Sequence, residues 1–166
     1  MNRSFNNENG MQTNVWGPPA WLFLHCIAAN YTPDKARGYL IFFNSLKYVL
    51  PCGACRKNYT RILKEMLPLT KKVFKSRETF MLWLFMLHNQ VQRDIYSNTL
   101  NVRDKPKYTD THKDFMNTVR FYEKFRAKCT KDSYGCTVPL KGCRKRSRIL
   151  ILPFLKRKKA NSIQVK

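Results

Sequence analysis

Six apolar residues, Phe80, Trp83, Leu84, Leu87, Val91 and Ile95, recur at three- and four-residue spacings, so they share one face of an α-helix. Such a stripe must be buried against something. The remaining apolar segments read as further helices, with only weak evidence of any strand. The spacing predicts this helix over about 78–97. Others are expected over about 20–30, after Trp16-Gly17-Pro18-Pro19, and from Thr32-Pro33-Asp34 to about 49. Pro51 breaks the chain before a helix over about 53–66, and Phe115, Met116, Val119, Tyr122 and Phe125 mark a fifth over about 111–128. No internal repeat is present. The expected fold is all-α, a four-helix bundle with an additional fifth helix.

A chain of 166 residues is natural for one domain and long enough to bury a core. Its charge is unusual: 32 Lys and Arg against 10 Asp and Glu give a formal net charge of +22. Such a surface attracts nucleic acid, membrane headgroups or acidic proteins without choosing among them. Residues 141–159 carry Lys141, Arg144, Lys145, Arg146, Arg148, Lys156, Arg157, Lys158 and Lys159 and no acid. That segment is expected to stay solvated, with Ile149-Leu150-Ile151-Leu152 as a run able to dock on the body. The organisation read from this is a flexible N-terminus over 1–12, a helical body over 13–128 and a basic, cysteine-containing tail over 129–166.

No apolar run approaches the roughly 20 residues needed to span a bilayer, and the polar N-terminus lacks a signal-peptide core. The expected location is therefore cytoplasmic. Six cysteines in a reducing compartment are more often catalytic or metal-binding than structural.

Cys52 and Cys55, in Leu50-Pro51-Cys52-Gly53-Ala54-Cys55-Arg56, fall at the start of a predicted helix. Two thiols at this spacing can close a small disulfide. The helix dipole and Arg56 favour the thiolate, the form that attacks disulfides. A zinc half-site is the bland alternative, its other ligands drawn from Cys129, Cys136, Cys143 or a histidine. Thioredoxin-like exchange is another, but it would want flanking strands. His25 shares a helix face with Trp21, and His88 with Leu84 and Val91. Singly, each is ordinarily a satisfied core residue. Together, one beside a Trp and one beside Asn89, they fit a buried aromatic ligand with polar edges.

Three motifs in order, Trp21-Leu22-Phe23-Leu24-His25, Cys52-Gly53-Ala54-Cys55 and His88-Asn89-Gln90-Val91-Gln92, resemble the Erv/ALR family of FAD-linked sulfhydryl oxidases. The resemblance covers about 15–95 strongly and 109–129 weakly. It implies FAD bound in the bundle, with Trp16, Gly17, Trp21, His25, Tyr31, His88, Asn89, Val91 and Gln92 as the binding wall. Cys55 would face the flavin and Cys52 would exchange with protein dithiols, a thioredoxin-like carrier among them. Dioxygen would accept the electrons as hydrogen peroxide. It further implies a homodimer through the first two helices and no metal, and two of Cys129, Cys136 and Cys143 are expected to form either a shuttle dithiol or an inert local disulfide.

Three departures stand out. Pro18 replaces an Arg of many cellular members, Gln92 replaces the second Asn, and the paired cysteines after the fourth helix are missing. Together with Tyr122, Phe125, Lys128 and Cys129 at the end of the fifth helix, this looks more like versions encoded by large DNA viruses, which would place the protein in host cytoplasm or the virion. The rival reading is a basic nucleic-acid-binding protein with a structural zinc, or a packaging protein that condenses polyanions. The aromatics interleave with the helices rather than the tail, so a stacking surface for nucleic acid is not evident. Cys26, beside His25, is expected to pack as a small buried hydrophobe.

Overall fold

The computed structural model describes residues 10–98, 114–129 and 135–143. The basic run over 144–166, with Ile149-Leu150-Ile151-Leu152, lies outside them. The chain divides into two compact units, Met1–Glu123 and Lys124–Lys166.

The first unit is helical: α1 (Thr13–Ala29), a single 3-10 turn (Pro33–Lys35), α2 (Ala36–Val49), α3 (Gly53–Glu65), α4 (Arg77–Asn98) and α5 (Phe115–Glu123). α4 is central and packs on α1, α3 and α5, while α2 packs on α3. No helix among the described residues is long and apolar enough to cross a membrane.

α1 begins two turns earlier than the sequence led us to expect, so Pro18 and Pro19 lie inside it. The two prolines remove the bonds that the carbonyls of Asn14 and Val15 would have received. Both residues are exposed, so water takes their place and the helix runs on. α5 is shorter than the expected 111–128. It stops at Glu123 because Ala127–Lys128 pairs instead with Val138–Pro139 as a two-stranded antiparallel sheet (β1 and β2) in the second unit. The all-helical expectation is amended by this one ribbon. A turn at Leu140–Cys143 follows it, with Gly142 at φ +83° and Cys143 N–H donating to Leu140 C=O at 2.9 Å.

Helix starts are chemically marked. Ser76 and Thr79 cap α4 reciprocally, Thr79 N–H donating to Ser76 Oγ at 3.2 Å and Ser76 N–H to Thr79 Oγ1 at 3.0 Å. Asp114 caps α5 by accepting from Met116 N–H at 2.7 Å.

The core is aromatic. Phe80 is fully buried against Tyr31, Phe43, Phe74 and Trp83, edge-on to Phe43 and stacked on Trp83. Trp83 Nε1–H is satisfied by Leu67 C=O at 3.0 Å, and the Tyr59 hydroxyl by Phe43 C=O at 2.9 Å. The α4 stripe holds through Leu87, but Ile95 is 52% exposed. Truncating Phe80 to Ala is expected to cost roughly 3–5 kcal/mol, read as a shift in the chemical-denaturation midpoint at unchanged slope.

Candidate active site

Cys52 occupies the N-cap position of α3 in extended backbone, φ −150° and ψ 120°. Its sulfur is bonded to that of Cys55 and accepts the Cys55 N–H at 3.2 Å. The sulfur thus sits where the helix presents unsatisfied N–H groups, which stabilises negative charge when the disulfide opens. Arg56 Nη1 donates to Leu50 C=O at 2.6 Å, so its guanidinium holds the loop entering the pair. Both cysteines are half-buried.

A second contact on this loop was not foreseen. Met11 N–H donates to Pro51 C=O at 2.7 Å, and Trp16 Nε1–H donates to Met11 C=O at 3.1 Å. A Cβ on Gly10 would stand 2.7 Å from Pro51 O and 3.0 Å from Cys52 Cα, both backbone atoms that cannot yield cheaply. Residues 10–12, read from sequence as flexible, form a strap across the Pro51–Cys52 loop, and only glycine fits at its closest point. The signal was the isolated Gly10 in a polar stretch.

His25 on α1 and His88 on α4 are 1% and 4% exposed, with His25 Nε2 3.1 Å from His88 Nδ1. The Gln92 side-chain nitrogen lies 3.1 Å from His88 Nε2. Gln92 donating there leaves His88 Nδ1–H to donate to His25, a consistent tautomer for an uncharged pair. Trp21 stacks on His88, with centroids 4.0 Å apart and planes 10° apart. On the other side, Tyr122 of α5 stacks on His25 at 4.8 Å and 13°. Burial holds the Tyr122 hydroxyl protonated far above the ordinary tyrosine range.

The structure therefore brings together Trp21, His25, His88 and Gln92 from the sequence-derived wall. Asn89 and Val91 are half-buried on the same helix. Trp16 spends its indole N–H on the strap, and a Cβ at Gly17 would meet no atom within 4 Å. Tyr31 lies in the aromatic core instead, its hydroxyl donating to Phe74 C=O at 2.5 Å. Tyr122 was missed as a site residue because it reads as one more apolar position of the fifth helix. Aromatic planes from three helices, edged by imidazole and amide nitrogens, are a donor set that fits a planar heteroaromatic group such as a flavin or adenine ring.

Cys129 and Cys136 are bonded to each other in the second unit, while Cys143 carries a thiol. No group of three or more His, Cys, Asp or Glu able to hold a metal occurs among the described residues, so the zinc alternative finds no ligand set there. Cys26 departs from its expected burial. Its residue surface is exposed, yet packing about the thiol pushes it above the ordinary cysteine range.

Residues 18–112 match the sequence model of the Erv1 / Alr family. Over 86 residues the chain is 44% identical to a protein of Acanthamoeba polyphaga mimivirus named "Probable FAD-linked sulfhydryl oxidase". That stretch is 49% of this chain and 59% of the relative, so the chain spans less than two thirds of that protein. The family match holds Trp21, His25, Cys52, Cys55 and the His88–Gln92 motif, whereas Trp16, Gly17 and Tyr122 fall outside it.

Two outcomes are expected of this geometry. Gly10→Val should unseat the strap, read as loss of protection of the Met11 amide in hydrogen exchange. Cys26, with its raised pKa, should be little ionised at neutral pH and gain thiolate only as pH rises past the ordinary cysteine value. Its alkylation by iodoacetamide should therefore be slow at pH 7 and accelerate steeply into the alkaline range.

Proposed function

This chain belongs to the Erv1 / Alr family, and on that premise we propose that it is an FAD-dependent sulfhydryl oxidase that forms disulfides in protein substrates. The observation that carries the reading is the arrangement of two features on packed helices. A disulfide opens α3, and α3 packs on α4, the helix that brings His88 to Trp21, His25 and Tyr122.

The chain's own part is as follows. A substrate thiolate attacks Cys52, forming a mixed disulfide and releasing Cys55 as a thiolate next to the α3 N-terminus. The second substrate thiol then displaces Cys52, leaving the substrate oxidised and the pair reduced. Cys55 is the thiol on the cofactor side. The chemistry that bound FAD would supply is two-electron oxidation of this dithiol coupled to reduction of dioxygen to hydrogen peroxide. Trp21, His25, His88, Asn89, Val91 and Gln92 would hold the ring system and exclude water from it, together with Trp16, Gly17 and Tyr122.

Cys129 and Cys136 are the candidate shuttle dithiol, in its oxidised form here. The exposed apolar residues Phe23 on α1 and Ile41 on α2, 58% and 60% accessible, support a homodimer through those helices. A viral relative supports a place in host cytoplasm or virion.

Purified protein should be yellow. Dithiothreitol should bleach it under anaerobic conditions and air should restore the colour. Cys55→Ser and Cys52→Ser should each abolish turnover. Cys129→Ser or Cys136→Ser should lower oxidation of a protein dithiol while sparing that of dithiothreitol. A colourless protein that takes up no FAD would overturn the reading.

A further inference from the structure

Asp94 lies on α4, six residues past His88, with its side chain 18% exposed. Three donors meet its carboxylate. Arg61 Nη2 at 2.7 Å and Asn58 Nδ2 at 3.0 Å share Oδ2, and Gln90 Nε2 reaches Oδ1 at 2.8 Å. Arg61 also turns back onto Asn58 Oδ1, at 2.8 Å from Nη2 and 3.3 Å from Nε. Asp94, Arg61 and Asn58 close a ring of hydrogen bonds between α4 and α3, and Gln90 braces its carboxylate from α4. A carboxylate suits the post because it offers two acceptor oxygens and a charge for the guanidinium.

The place of this ring matters more than its strength. Asn58 follows Cys55 by three positions and shares its face of α3. Gln90 adjoins Asn89 and lies two residues from His88. Each end of the clamp is thus within a turn of a residue assigned to electron transfer or cofactor binding.

We propose that Asp94 is a positioning residue of the oxidase: by tying Asn58 and Arg61 to α4 it fixes the rotation of α3 about its own axis, and so where Cys55 stands relative to the cofactor wall. The inference rests on the oxidase reading and adds to it the element that holds the two halves of the site in register. Displacements on the order of 1 Å at such a junction cost up to about a hundredfold in rate. The exchange at Cys52 depends on access from solvent and does not need this register.

The test uses the full chain with FAD. In a Cys52→Ser background, alkylation of Cys55 is followed with and without FAD. FAD should shield Cys55 when Asp94 is present, and the shielding should be lost in Asp94→Ala although the protein still binds FAD and keeps its helical circular dichroism. With both cysteines intact, Asp94→Ala should lower kcat by about tenfold or more and leave kcat/KM for dithiothreitol near the wild-type value. Asp94→Asn, which keeps one acceptor oxygen, should fall between. Retained shielding in a folded, FAD-loaded Asp94→Ala, or an equal fall in kcat and kcat/KM, would overturn the proposal. Should Asp94→Ala not fold, the same measurements on Asp94→Asn decide it: weakened shielding supports the clamp and wild-type shielding overturns it. A parent protein that takes up no FAD overturns the oxidase reading and this inference together.

Discussion

The packing of α1 against α4 depends on two imidazoles satisfying each other away from water. Burying either His25 or His88 alone would leave polar nitrogens without partners, at a cost of about 1–3 kcal/mol each. Their mutual hydrogen bond, with Gln92 at the far nitrogen of His88, removes that cost and lets the two helices close. Trp21 and Tyr122 then cover the pair from two sides with flat apolar faces. The same arrangement supplies stacking surfaces and polar edges together. Stability and the proposed binding wall therefore rest on one cluster, so a change at either histidine disturbs the packing from which that proposal is argued.

Much of the fold is legible in the sequence because helical spacing is a local signal. The α4 stripe, the Pro51 break and the cysteine pair at the head of α3 need only a few neighbouring residues to be read. What escaped depends on contacts distant in the chain. Pro18 and Pro19 look like a helix start, yet α1 begins before them, and the residues four back, Asn14 and Val15, are exposed to solvent. Ala127–Lys128 looks helical until Val138–Pro139 offers it a partner ten residues away. The site shows the same division. His25 and His88 are visible as motifs, whereas Tyr122 becomes part of the site only when α5 folds across α1. Tyr31 goes the other way, since its hydroxyl is claimed by Phe74.

Gln92 illustrates how a departure from a pattern can be read. Against the resemblance it is a replaced Asn and a doubtful hydrogen bond. In the structure its longer amide reaches the imidazole of His88, one helical turn back on α4. A Gln92 N–H donated there goes with a proton on His88 Nδ1, the nitrogen that faces His25. Gln92 thus has a partner of its own within the helix, on the histidine that also bonds His25.

The strap across the Pro51–Cys52 loop has a consequence for the order in which the chain assembles. Residues 10–12 are synthesised well before Pro51, yet their anchoring carbonyl belongs to that residue. Until the loop is made and α3 has begun to form, this stretch has nowhere to attach, and closing the intervening span carries an entropy cost that α1 and α2 must first reduce by folding. Among the described residues, the earliest to leave the ribosome are thus among the last to be fixed. Their seating coincides with completion of the surroundings of Cys52.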